Sequence, residues 1–132
     1  QYHGTSSAIE FAVQQLKVKH IVVLGHARCG GIQAAVSETA PLSPGDFIGQ
    51  WMSLIAPAVE RVALASGAGD ADLRRLELAA IELSLTNLMT FPFVRASVER
   101  GQLQLHGAYF GVANGVLLVR DPKTGTFERL VS

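Results

Sequence analysis

The chain has 132 residues, of which 48% are hydrophobic and 17% charged, and its formal net charge is zero. This length suits one globular domain with a real core, so we expect residues 1–132 to form a single domain. The charge balance argues against nucleic acid as a partner, and no apolar stretch reaches the ~18 residues that a membrane helix needs. The single cysteine excludes an internal disulfide, and with no visible signal peptide we expect a cytoplasmic protein.

The first predicted element is an amphipathic helix. Ser7 and Glu10 have the spacing of a capping box. Ile9, Val13 and Leu16 recur on one helical face, which predicts about three turns. The chain reaches this helix within a few residues and has no initiator methionine. We therefore expect that it is a domain entered midway, with polypeptide preceding it.

A short apolar run, residues 21–24, is rich in β-branched side chains. Such a run is typical of a strand buried on both faces in a parallel sheet. Gly25 is predicted to end it, and His26 and Cys29 follow at spacing i, i+3, before a glycine pair that begins with Gly30. Ligands of open α/β sheets bind at the carboxyl ends of strands, where this imidazole and this thiol are expected.

Two kinds of chemistry fit the pair of His26 and Cys29. Zinc takes neutral imidazole and thiolate, usually with three or four protein ligands in a tetrahedron. A cysteine at a helix start can instead act as a nucleophile, with a nearby histidine as its base. A third interpretation is a buried cysteine and a hydrogen-bonded histidine with no chemistry. The spacing alone leaves all three open.

The middle of the chain is predicted to be helical. A segment over 47–65 has helical apolar spacing that is interrupted at Pro57. A further helix begins at an aspartate, at position 70 or 72, and runs to Leu88. A short helix over 93–100 follows.

Several polar side chains of the second half have a structural interpretation that we favour over a catalytic one. Glu77 and Glu82 are expected on a solvated face or paired with the arginines at 74 and 75. His106 is expected to be a hydrogen-bonded strand residue, and His20 to be exposed or structural.

The end of the chain is predicted to be a second parallel strand followed by a hairpin. Residues 103–106 form the strand, and Asn114-Gly115 is a strong turn signal. Residues 116–119 then pair back antiparallel, and 127–131 form a terminal strand. The predicted fold class is α/β, with a central, mostly parallel sheet flanked by helices and an antiparallel C-terminal hairpin strand.

Three segments of the chain resemble β-class carbonic anhydrases. Residues 16–31, LKVKHIVVLGHARCGG, are similar to the zinc-ligand segment of that family. Residues 4–13 and 105–110 also match, and the similarity covers nearly the whole chain in family order. The resemblance implies reversible hydration of carbon dioxide to bicarbonate and a proton, with Zn²⁺ as the cofactor. It also implies a homodimer or a higher homo-oligomer, because the family's subunits pair through apolar contacts.

The resemblance also implies roles for single residues. The family holds zinc with a Cys, then a His and a Cys, and the last two fall on His26 and Cys29. A backbone N–H near Gly30 would orient the substrate. The family's first zinc Cys lies upstream in a Cys-x-Asp-x-Arg motif, whose Asp–Arg pair orients the zinc-bound nucleophile. This chain has no such motif, so no catalytic group is identified beyond the zinc-bound water.

Other functions stay open. If the 132 residues are the whole polypeptide, we expect poor zinc binding and no useful hydratase activity, which leaves an inactive fragment or a dimerisation module. If an upstream segment completes them, we expect a zinc carbonic anhydrase. A thiol enzyme that uses Cys29 is the alternative from another chemistry, and carbonyl sulfide or carbon disulfide are alternative substrates.

Overall fold

The computed structural model describes residues 4–28 and 70–130. The helices are α1 (Gly4–Glu10), which continues as a π-helical segment (Phe11–Gln15), α2 (Asp70–Leu88) and α3 (Pro92–Glu99). The strands are β1 (His20–His26), β2 (Gln104–Gly111), β3 (Val116–Arg120) and β4 (Phe127–Arg129). The helix predicted over 47–65 lies outside the described residues. Among the described helices, none is long and apolar enough to cross a membrane.

The four strands form one mixed sheet in the order β1-β2-β3-β4. β1 and β2 are parallel, with His20 opposite Gln104 and His26 opposite Phe110. β3 pairs antiparallel with both β2 and β4. The predicted α/β class, the second parallel strand and the antiparallel hairpin strand are therefore confirmed. The described sheet is mixed and not mostly parallel, since one of its three pairings is parallel.

Helix α2 packs closely on the sheet because two strand positions lack a side chain. A Cβ on Gly25 would lie 2.6 Å from Cδ1 of Ile81, and one on Gly107 would lie 3.1 Å from Cγ2 of the same isoleucine. The side chain of Ile81 is 2% exposed between them. The prediction that Gly25 ends the strand is wrong, since β1 continues to His26 and this glycine instead admits the helix.

The core lies between the helices and one face of the sheet. One cluster joins Val13, Leu88, Val94 and Leu103, and another joins Ile81, Leu85 and Tyr109. Both contact Val23, whereas its neighbours Val22 and Leu24 point to the opposite face and are 58% and 61% exposed. The prediction that this strand is buried on both faces is thus wrong for the part of the chain that the structure describes, because α1, α2 and α3 all cover the same face.

The first helix differs from its prediction at both ends. It already includes Gly4, so Ser7 lies within the helix and does not cap it. After Glu10 the backbone becomes π-helical, and the N–H of Leu16 donates to the carbonyl of Phe11, five residues back. The wider turn rotates later residues away from the 3.6-residue period. Leu16, expected on the buried face, is consequently 63% exposed.

Candidate metal site at the carboxyl end of β1

His26 is the last residue of β1, and its side chain is exposed. The strand pairing extends past it, because the N–H of Ala27 donates a 2.9 Å hydrogen bond to the carbonyl of Phe110. Arg28 then has a left-handed backbone with φ of 56°, a conformation that costs a non-glycine residue about 1 kcal/mol or more. The backbone thus fixes the imidazole at the carboxyl edge of the sheet and turns sharply just after it.

The ring of His26 is oriented by its own neighbour. Its Nδ1 lies 3.0 Å from the carbonyl oxygen of Ala27. A carbonyl can only accept, so Nδ1 carries the proton and donates it. In the neutral ring this leaves the lone pair on Nε2. Histidines that bind metals commonly donate their other N–H to a carbonyl in this manner, which makes His26 suitable as a zinc ligand through Nε2.

The remaining donors of a metal site are not among the residues that the structure describes. Over 4–28 and 70–130 there is no group of three or more His, Cys, Asp or Glu side chains that could hold an ion. Of the predicted site residues, His26 is thus described, whereas Cys29 and Gly30 lie outside the described residues. Their predicted roles stay predictions.

A buried polar pair lies beneath this edge on the helix side of the sheet. The hydroxyl of Tyr109, opposite Gly25 in the register, donates a 2.9 Å hydrogen bond to Oε1 of Glu77. These two residues are 2% and 5% exposed, so of the two alternatives predicted for Glu77 the solvated face is wrong. Burial, together with the hydrogen bond and the charge of Glu77, raises the pKa of Tyr109 to about 12, against the opposing effect of Arg74.

The other polar side chains of the second half have structural partners. Nδ1 of His20 lies 2.9 Å from Nε2 of His106, which confirms a structural, hydrogen-bonded role for both. Glu82 forms an ion pair with Arg120, and so joins α2 to β3. Sequence reasoning found neither partner, because the residues of each pair are 86 and 38 positions apart.

Comparison with known proteins identifies the family. The family model described as "Carbonic anhydrase" matches residues 1–117. A curated relative, the mitochondrial Beta carbonic anhydrase 6 of Arabidopsis thaliana, is 35% identical over 113 aligned positions, and the alignment covers 83% of this chain and 39% of that protein. The chain belongs to the β-class carbonic anhydrase family. It spans about two fifths of the length of this curated relative.

Solved β-carbonic anhydrase structures have the same fold as this chain. The β-carbonic anhydrase CcaA superposes with a TM-score of 0.86 at 24% identity, over 100% of this chain and 60% of that one. A tetrameric β-carbonic anhydrase of Sordaria macrospora superposes with a TM-score of 0.76 at 28% identity, over 93% and 60%. The strand that ends at His26 therefore belongs to a β-carbonic anhydrase sheet.

Proposed function

We propose that the protein catalyses the reversible hydration of carbon dioxide to bicarbonate and a proton, with zinc held by His26 and Cys29. The observation that carries the proposal is the hydrogen bond from Nδ1 of His26 to the carbonyl of Ala27, which leaves the lone pair of the neutral ring on Nε2 at the carboxyl edge of the sheet. Family membership supports carbonic anhydrase chemistry in general.

The described residues of the site supply position and orientation. Zinc, when bound, lowers the pKa of water toward ~7 and so supplies a nucleophile at neutral pH. The pairing of Ala27 with Phe110 holds the strand end, and the Ala27 carbonyl keeps His26 in the required tautomer. A backbone N–H at Gly30 is proposed to orient the substrate.

The third protein donor is proposed to come from a Cys-x-Asp-x-Arg segment outside the printed sequence. Cys29 is the only cysteine here, and His26 and Cys29 together provide two of the three protein ligands. The short coverage of longer relatives supports this proposal. The activity is therefore proposed for the protein at its native length.

Zinc analysis and stopped-flow measurement of carbon dioxide hydration test the proposal. The protein at native length should contain stoichiometric zinc and be active, and His26→Ala should lose both. His106→Gln is the matched control, since it removes a histidine from the other end of the same sheet and should keep zinc and activity. Activity that persists in metal-free protein and disappears on alkylation of Cys29 would instead support the thiol enzyme.

A homo-oligomer is proposed as the working form. Val22, Leu24 and Val112 are apolar side chains exposed by 58%, 61% and 61%. Exposed apolar surface of this kind favours association with a further protein surface. Light scattering should give a solution mass of at least twice that of one chain, and the mass of one chain would contradict this proposal.

A further inference from the structure

A cavity of about 860 Å³ lies at the other end of the sheet from His26. It is bounded by the end of the π-helical segment, by the end of α3, and by the first residues of β1 and β2. His20 lines the cavity. It precedes His26 by six residues, a separation of about 20 Å along a strand. The cavity is therefore separate from the candidate metal site.

Among the described residues, cations line the cavity and no carboxylate does. Lys17, Lys19 and Arg100 all contribute to its wall, and none of the described lining residues is acidic. In the part of the chain that the structure describes, none of these three side chains forms an ion pair. Three uncompensated positive charges around one concave surface produce a positive potential that attracts anions.

Helix capping does not explain Arg100. Cations near a helix end often bind its free carbonyls. At the end of α3, however, the carbonyls of Ala96, Ser97 and Val98 already accept backbone N–H groups from residues 100–103. The guanidinium of Arg100 is therefore not needed to satisfy them.

Lys17 lies just after the C-terminal end of the π-helical segment. Its φ is 54°, in the left-handed region that glycine adopts at lower cost. Lysine therefore occupies a position where helix ends usually have glycine. Such strain is typical of functional positions.

We propose that this cavity binds a small phosphate-bearing anion, a function beyond carbon dioxide hydration. Its volume lies within the range of small-molecule sites, roughly 300–1,000 Å³. Lysine and arginine are the side chains that proteins use for phosphate, and the hydroxyl of Ser97 and the amide of Gln102 add neutral donors to the wall. Inorganic polyphosphates and nucleotides share this chemistry.

Isothermal titration calorimetry on the purified protein at native length tests the proposal, with inorganic pyrophosphate and ADP as probes at low ionic strength. We expect saturable binding of pyrophosphate that weakens roughly tenfold or more in Lys17→Gly and in Arg100→Met. Lys17→Gly removes the charge and relieves the left-handed backbone, so its melting temperature should not fall. If ADP binds more tightly than pyrophosphate, the ligand class is nucleotides. If ADP binds equally or more weakly, the ligand class is inorganic phosphates.

Two control variants make the result specific. Lys123→Met removes a cation from the exposed turn before β4 and should leave the affinity unchanged. His26→Ala should also leave it unchanged, which separates this cavity from a phosphate ligand on zinc. Absence of saturable binding at millimolar pyrophosphate, an equal loss in Lys123→Met, or full affinity in Lys17→Gly would overturn the proposal.

Discussion

The hydroxyl of Tyr109 and the carboxylate of Glu77 form a 2.9 Å hydrogen bond across the interface between β2 and α2. Both side chains are almost completely buried. The strand position opposite this tyrosine is Gly25, the residue before His26. The bond thus connects the main helix to the part of the sheet that presents the candidate metal ligand.

Replacing Tyr109 with phenylalanine should destabilise the protein. The variant keeps the ring but removes the donor to Glu77, and a buried acceptor that loses a partner costs about 1–3 kcal/mol. Urea unfolding of Tyr109→Phe should have a lower midpoint concentration than that of the unchanged protein. The dependence of the free energy of unfolding on urea concentration should be the same in both. Glu77→Gln, whose amide oxygen can still accept from the hydroxyl, is the matched variant and should cost less. Equal stability of Tyr109→Phe and the unchanged protein would contradict this account.

The same tyrosine predicts a loss of stability in alkaline solution. Burial and the neighbouring Glu77 raise the pKa of Tyr109 from its usual value of 10.0 to about 12. Between these values the unfolded chain releases the phenolic proton and the folded protein retains it, so the free energy of unfolding declines as pH rises. The decline is on the order of 2–3 kcal/mol and is complete above the folded pKa.

Unfolding at about pH 9 and about pH 11 measures about half of this decline, roughly 1.4 kcal/mol, because pH 11 lies midway between the two pKa values. Tyr109→Phe provides the control, because phenylalanine has no titratable group. Its free energy of unfolding should lack the part of the decline that Tyr109 causes. If the free energy of unfolding of Tyr109→Phe declines as steeply as that of the unchanged protein, groups other than Tyr109 cause the loss of stability.

A methyl group at Gly25 should disturb both the core and the metal site. The new Cβ would lie 2.6 Å from Cδ1 and 2.9 Å from Cγ1 of Ile81, which has no free space because it is 2% exposed. Overpacking of this kind costs about 1–3 kcal/mol. The adjacent His26 should shift with its strand, so Gly25→Ala should also lower the zinc content.

The double variant with Ile81→Val isolates this contact. Valine lacks Cδ1, the nearer of the two clashing atoms, so Gly25→Ala should cost less stability in the Ile81→Val background than in the unchanged protein. Additive losses would mean that the clash does not cause the effect.

Local sequence patterns predicted most of the fold. The β-branched run before His26 indicated β1, and Asn114-Gly115 indicated the hairpin, where Gly115 has the expected positive φ of 67°. The helix that ends at Leu88 was predicted from its apolar spacing. These elements are determined by side-chain periodicity and turn chemistry within a few residues, which a single sequence displays directly.

Features that depend on distant contacts were not predicted. The hydrogen bond of His20 with His106 and that of Tyr109 with Glu77 form only once β1, β2 and α2 are assembled. The π-helical turn that exposes Leu16 is likewise not visible in the apolar spacing. At the site, His26 was predicted from its spacing and from the family resemblance, but the Ala27 carbonyl that orients its ring was not.

The most direct test of the proposed function is the protonation state of the His26 ring in zinc-loaded protein at native length. Nitrogen-15 NMR of the imidazole distinguishes its two nitrogens. We predict a protonated Nδ1, bonded to the carbonyl of Ala27, and a metal-bound Nε2. Ring resonances that do not change when zinc is added and removed, or zinc on Nδ1, would contradict the assignment of His26 as the ligand described here.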